Sequence, residues 1–183
     1  MDKPNKTNKG FNMIVKEEEK KTFQINSIGI INSNETQGKF SLTISNEARP
    51  ALKEIEQFSH ILVFWWADKM DNEESRKTVV TKLPYAKERE AGVFACRSEY
   101  RPNPIAMTVC GIINVDEKNG RIKLDYIEAF DGTPLIDIKP YIPVSDRVKN
   151  VKVAEWLKDW PQWTEDAGSF FMEHGTELFG GCE

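Results

Sequence analysis

Apolar residues in this chain come in short runs cut off by turn-forming residues, and that pattern confines it to a β-rich fold. Phe40, Leu42 and Ile44 alternate with Ser41, Thr43 and Ser45, the two-residue period of a strand with one buried face. Phe23 to Ile31 alternates in part and is rich in β-branched residues, so it opens the fold as a strand. Ile61 to Trp66 has no polar alternation and reads as a short strand buried on both faces. Further strands are expected at Thr78–Thr81, Ile105–Val115, Arg121–Phe130 and Leu135–Ile138. Asn119 and Gly120 signal a tight turn that pairs the second and third of these as a hairpin.

Helical patterning is sparse. Asn46 can cap a helix with Glu47 in its first turn, Pro50 near its start, and Leu52 and Ile55 on its buried side. Val153–Trp160 is compatible with a short helix. Thr164–Leu178 sets Phe170, Phe171, His174 and Leu178 at helical spacing. Many short strands and few helices predict a mainly β architecture, a single β-barrel domain with a few peripheral helices, because closure removes exposed strand edges. Residues 1–20 are polar and Lys/Glu-rich and read as a loosely attached extension. The barrel is expected over 21–150, with a helical acidic tail over 151–183.

At 183 residues one core is expected. With 39% apolar and 30% charged residues the chain reads as a soluble globular protein. No apolar run approaches the ~20 residues of a membrane span. The polar first ten residues lack an export segment, which points to the cytoplasm. Cys96, Cys110 and Cys182 form no CxxC pair, so neither a disulfide framework nor a zinc ribbon is indicated. His174 with Glu173, Glu177 and Cys182 follows no ligand-spacing rule, so no metal site is expected. His60, opening a buried strand, is expected to be structural and satisfied by a backbone partner. Charge is uneven along the chain: 154–183 holds seven acids against Lys158 alone, whereas 75–104 holds seven bases against three acids. A locally basic segment suits a phosphate-bearing partner, although a mixed-charge surface explains it equally well.

Two runs carry the chemistry. Gly92 to Pro104 contains Arg97, Arg101 and Asn103, with Pro102 and Pro104 disfavouring the helical conformation at the residues before them. Arginine forks suit carboxylates and phosphates. Asp131 to Pro134 is a turn in which Gly132 lets a ligand approach the backbone and Asp131 can accept bonds from hydroxyl or ammonium groups. On chemistry alone, two rigid turns joined by an Arg97–Asp131 pair fit equally well.

Both runs resemble motifs of the TrmO family (also called TsaA or YaeB-like), S-adenosylmethionine-dependent tRNA methyltransferases. The resemblance extends from about Ile28 to Pro143. It rests on Ile28–Ile31, Phe58–His60, Gly92–Ala95, Arg97–Ser98, Arg101–Ile105, and Asp131–Pro134 continuing through Asp137–Tyr141. It implies a dimeric barrel with S-adenosyl-L-methionine near the subunit interface. The implied reaction methylates the exocyclic amino nitrogen of threonylcarbamoyladenosine in the tRNA anticodon loop. Arg97, Met107 and the turn Asp131, Gly132, Thr133, Pro134 would then hold the cofactor, with Arg101 and Asn103 orienting adenosine or cofactor as the catalytic pair. Where relatives carry a His-Gln pair on the cofactor, this chain has Ala67 and Asp68, of which Asp68 still offers an acceptor. Cys96 stands where threonine is common. Relatives also carry a C-terminal domain where this chain has its acidic tail. No GxGxxG follows a strand, which disfavours a dinucleotide-type methyltransferase fold. Methyl transfer from a sulfonium is an in-line displacement that needs alignment and exclusion of water, and no metal.

Overall fold

The computed structural model describes residues 21–179; the N-terminal extension and Cys182 lie outside them. Strands β1 (Gly29–Asn34), β2 (Lys39–Ile44), β3 (His60–Trp66), β6 (Ile105–Asp116), β7 (Arg121–Leu124) and β8 (Pro134–Pro140) close a barrel in the order β1-β2-β7-β6-β3-β8. Every pairing in it is antiparallel. Strands β4 (Val80–Leu83) and β5 (Arg89–Gly92) form a separate two-stranded sheet. Three short helices, α1 (Glu73–Lys77), α2 (Pro143–Asp146) and α3 (Ala167–Phe179), lie outside the barrel. Among the described residues no helix is long and apolar enough to cross a membrane.

Alternation along each strand fills the barrel. Phe40, Leu42 and Ile44 from β2, Ile61, Val63 and Trp65 from β3, and Ile122 and Leu124 from β7 are buried in one cluster with Ile31, Cys110 and Leu135. Each such aliphatic side chain contributes ~2 kcal/mol by leaving water. Strand β3 departs from its expected double-sided burial: Leu62, Phe64 and Trp66 are only half-buried on the outer wall. An unbroken apolar run is thus a barrel strand whose outer residues are partly covered by neighbours. Lys139 Nζ, for instance, sits 5.8 Å from the Phe64 ring centre.

Several expected boundaries move. The first strand starts at Gly29, six residues after Phe23. Strand β4 begins at Val80 and reaches Leu83, and Pro84 then opens a 3-10 turn, Pro84–Ala86. Asn46 caps no helix; Arg49–Leu52 and Ile55–Gln57 are separate 3-10 turns, with Leu52 buried as expected. Between Asp116 and Arg121 the hairpin loop holds four residues, and within it only Gly120 has positive φ, +65°. The Asp116 carboxylate takes both the backbone and the side-chain N–H of Asn119. Strand β7 stops at Leu124 because Asp125 folds over Gly111, its carboxylate accepting the Gly111 N–H (2.8 Å). A Cβ at Gly111 would meet the other oxygen of that carboxylate, Oδ2, at 2.5 Å. Residues 125–130 then climb beside β6 without pairing as a strand.

Beyond the barrel, Trp160 packs edge-on against Tyr85 (5.3 Å) and Phe171 (5.1 Å), and His174 stacks on Phe170 (4.7 Å). This cluster lays α3 against the 3-10 turn at Pro84–Ala86. Trp156 lies under Arg89 at 5.3 Å, so these tail aromatics pack within the chain. His60 is met by a side chain, Ser59 Oγ at 2.9 Å from Nδ1, with Tyr141 at its edge.

Candidate functional site

Strand directions put both motif-bearing runs at one end of the barrel. Strand β3 ends there at Trp66, β6 begins there at Ile105, and β8 begins there at Pro134. A backbone bond from Ala67 N–H to Pro104 O (2.9 Å) ties the end of β3 to the proline-rich loop. Between them lies a cavity of about 160 Å3 lined by Trp65, Asp68, Glu99, Glu128, Phe130 and Thr133. Glu99 comes from the first run and Thr133 from the second, so the two converge on one pocket. A larger, open depression of about 490 Å3 at the opposite end is lined by Glu56 and the β6–β7 hairpin alone, and holds neither run.

The Asp131 bend is fixed by the barrel seam. Asp131 Oδ1 accepts the Ser33 N–H (3.0 Å), Gly132 N–H donates to Ile31 O (2.8 Å), and Ile31 N–H donates to Thr133 O (2.9 Å). Gly132 adopts φ +80°, and Thr133 is buried. Asp131 is therefore occupied by the backbone of β1, and no ion pair joins it to Arg97 among the described residues. Pro134 pairs with Ile30 in that same seam.

The Gly92–Pro104 run is built differently. Val93–Ala95 is a 3-10 turn, so Arg97 follows a turn and not the end of a strand. Arg101 folds back over it, its guanidinium donating to the carbonyls of Val93 and Cys96 (2.8 Å to the latter). Its Nε is buried without a partner. Arg101 thus holds its own loop closed, while Arg97 and Asn103 stay exposed. Met107 sits opposite Phe64 on β3, on the outer wall, whereas the next residue, Thr108, faces inward. Ala67 is buried in the core cluster, and Asp68 opens the 3-10 turn Asp68–Met70 on the pocket wall. The outer side of that segment is pinned by Asp71, which accepts from Trp66 Nε1 (2.9 Å) and pairs with Arg76. The hydrogen bond from Arg76 holds the Asp71 carboxyl below its ordinary range.

A polar chain runs from inside the barrel to the pocket wall. Buried Trp65 donates from Nε1 to Thr108 Oγ1 (3.2 Å), and Thr108 Oγ1 is 3.1 Å from Glu128 Oε1. Burial raises the Glu128 carboxyl above its ordinary range, helped by the charge of Glu99 and opposed by Thr108 and Arg97. Burial also pushes the neighbouring Cys110 thiol up to about 12, which keeps it protonated and inert. Glu128, Thr108 and Phe130 were not singled out in the sequence; the one pointer to Glu128 was its place three residues before Asp131. Phe130 faces the cavity, and Lys69 Nζ lies 4.3 Å from its ring centre. The pocket therefore combines carboxylates with an aromatic face that already receives a cation. Among the described residues no three His, Cys, Asp or Glu side chains are grouped to hold a metal.

The chain is 39% identical over 121 residues to the S-adenosyl-L-methionine-binding protein of Archaeoglobus fulgidus, covering 63% of this chain and 82% of that one. It is 35% identical over 149 residues to a second protein of that organism, named probable S-adenosyl-L-methionine-binding protein, spanning 74% of this chain but only 38% of the relative. To the mouse tRNA (adenine(37)-N6)-methyltransferase it is 32% identical over 115 residues, 63% of this chain and 26% of the mouse protein. The crystal structure of TrmO from Pseudomonas aeruginosa superposes with a TM-score of 0.60 at 26% identity, over 88% of this chain and 76% of that one. Residues 22–147 match the model of the tRNA-methyltransferase O N-terminal domain, and the chain belongs to that family.

Proposed function

We propose that this chain is an S-adenosyl-L-methionine-dependent methyltransferase acting on the exocyclic amino nitrogen of threonylcarbamoyladenosine in the tRNA anticodon loop. The observation that carries this reading is the convergence of Glu99 and Thr133, one from each motif-bearing run, on a pocket with Glu128 and Asp68. Carboxylates and the Phe130 face suit a cationic ligand, and Lys69 over that ring shows the position accepts positive charge. When bound, S-adenosylmethionine supplies an electrophilic methyl group on a sulfonium. Asp68 and Phe130 would meet its positive charges, and Thr133 and the Gly132 backbone would border it. Arg97, exposed on the adjoining loop, would hold the cofactor, and the exposed Asn103 would orient the adenosine.

A cavity of about 160 Å3 encloses less than a ligand of this size needs, which is roughly 300 Å3 or more. Part of the cofactor would therefore lie across the mouth, and a second copy of the chain would cover it. That size mismatch supports a homodimer. A cytoplasmic location follows from a tRNA substrate. Two relatives named for S-adenosyl-L-methionine binding alone support a second reading, a binding module without turnover.

The two readings separate in one experiment. Purified chain is incubated with radiolabelled S-adenosylmethionine and tRNA carrying or lacking the threonylcarbamoyl group, and nucleosides are resolved by mass spectrometry. Methylation of the modified tRNA alone is the expected result. Cofactor binding with no labelled nucleoside from either tRNA would establish the binding module instead.

A further inference from the structure

We infer that Glu128 is the proton acceptor of the reaction, taking the proton from the carbamoylated amino nitrogen through Oε2 while Thr108 and Trp65 hold Oε1. The inference rests on the functional reading above and deepens it.

Methylating an N–H nitrogen that stays neutral requires that a proton leave. The nitrogen–methyl bond forms, the sulfur–methyl bond breaks with its electron pair returning to sulfur, and the displaced proton needs a base within hydrogen-bond reach. Of the groups that the structure sets around this pocket, Glu128 is the one both oriented and left with a free oxygen. An indole N–H only donates, so Trp65 Nε1 must occupy a lone pair of Thr108 Oγ1. The Thr108 hydroxyl proton is then available to Glu128 Oε1, 3.1 Å away. This relay fixes the carboxyl from the barrel side. Oε2 has no protein partner among the described residues, and the carboxyl borders the cavity. The other candidates are placed less well. Arg97 and Lys69 are cations, Asn103 has no basic atom suited to the task, and Asp131 is bonded to Ser33. Asp68 and Glu99 line the cavity, but among the described residues no side-chain hydrogen bond orients either carboxylate as Thr108 orients Glu128.

The groups around Glu128 act on it in opposite directions. Glu99 and Arg97 face Glu128 from the loop after Ala95, with opposite effects on it. Asp68 and Lys69 lie on the turn across the pocket. Cys110 on β6 and Tyr126 on the same segment both feel the Glu128 charge, and both are pushed up, chiefly by burial. Desolvation of the carboxyl raises Glu128 itself, so it binds a proton more readily than a free glutamate. A carbamoyl N–H is more acidic than an amine, so a base of this kind suffices.

The test uses the full chain, wild type and Glu128→Gln, with S-adenosylmethionine, S-adenosylhomocysteine and threonylcarbamoylated tRNA. Calorimetry gives both affinities, and single-turnover rates are followed from about pH 5 to 9. In Glu128→Gln both affinities should stay within about threefold, with thermal unfolding unchanged. The methyl-transfer rate should fall about 10²-fold or more. Wild type should lose activity as pH drops and the carboxylate protonates, along a limb absent from the variant. A variant rate within threefold of wild type overturns the inference. Loss of S-adenosylmethionine affinity with S-adenosylhomocysteine affinity retained also overturns it, because Glu128 would then be a counter-ion to the sulfonium. A wild type that binds cofactor but leaves this tRNA unmethylated removes the substrate reading and the proton acceptor with it. A wild type that transfers, with a variant rate within threefold of it, removes the proton acceptor alone.

Discussion

The two runs that meet at the pocket are held by opposite means. The Asp131–Pro134 bend is part of the barrel: β1 supplies the Ser33 N–H, the Ile31 N–H and the Ile31 carbonyl, and the bend completes the short seam between β1 and β8. The Cys96–Pro104 loop is tied to the barrel only near its end, by Ala67 N–H to Pro104 O and Ile105 N–H to Asn103 O, and is otherwise closed by its own Arg101. The first presents backbone and a buried Thr133, whereas the second presents exposed Arg97 and Asn103. The difference teaches that charged residues in a ligand-facing run divide into those that build the run and those that reach out from it. Asp131 and Arg101 build; Arg97 and Asn103 reach.

The largest expected effect follows from Arg101. Arg101→Ala removes two charge-assisted hydrogen bonds to carbonyls of the Val93 turn, at ~1.5–3 kcal/mol each before any relaxation. A loss of about 3 kcal/mol is expected, or roughly 6–10 °C in Tm for a chain of this size. Arg101→Lys should recover little of it, since one ammonium lacks the planar fork that spans both carbonyls. Differential scanning calorimetry checks this. Unchanged Tm together with abolished methyl transfer would move Arg101 to the reaching class and break the comparison.

That division was only partly legible in the sequence. Local alternation carried the strands: Phe40, Leu42 and Ile44 face inward as their spacing requires. It carried the barrel too, because six such strands leave edges that closure removes. It did not carry hydrogen-bond destinations. Arg101 and Arg97 are chemically identical in sequence, and only the turn at Val93–Ala95 decides which one folds inward. Glu128 was hidden because it lies between buried Ile127 and Ala129, where alternation reads an ordinary outward residue. It is exposed as that predicts, but its carboxyl turns back to Thr108, a bond no local pattern encodes. Asp125 ends the strand first and turns the segment onto β6, and that event depends on a close approach to Gly111 that no local pattern encodes. Met107 was marked by resemblance to a family position, and only the register, which pairs it with Phe64, places it on the outer wall.

A middling effect is expected in the bend. Gly132 has φ +80°, and a Cβ there would meet nothing within 4 Å. Gly132→Ala should therefore cost about 1 kcal/mol of backbone strain alone, visible as a small Tm decrease with the barrel intact. Asp131→Ala removes the acceptor of the Ser33 N–H (3.0 Å) and should cost a similar ~1 kcal/mol. Asp131→Asn, which keeps an oxygen acceptor, should restore most of the loss in Tm if Asp131 serves the seam. Failure of that rescue, with cofactor affinity lost in both variants, would show that the carboxylate charge is used by a ligand and that Asp131 reaches after all.

The smallest effect on stability, and the sharpest on binding, belongs to Arg97 and Asn103. Both are exposed, so their alanine variants should unfold within about 0.5 kcal/mol of wild type. Arg97→Ala should nevertheless abolish cofactor binding in calorimetry, and Asn103→Ala should reduce turnover more than cofactor affinity. Salt separates the two ligands Arg97 can serve. If its partner is tRNA phosphate, tRNA affinity should fall in Arg97→Ala and depend less steeply on salt than in wild type, with cofactor affinity untouched. If its partner is the cofactor, the salt dependence of tRNA binding should be the same in both proteins. An Arg97→Ala chain that keeps both affinities would leave the loop with no reaching arginine. The comparison between the two runs would then reduce to two scaffolds around Glu128.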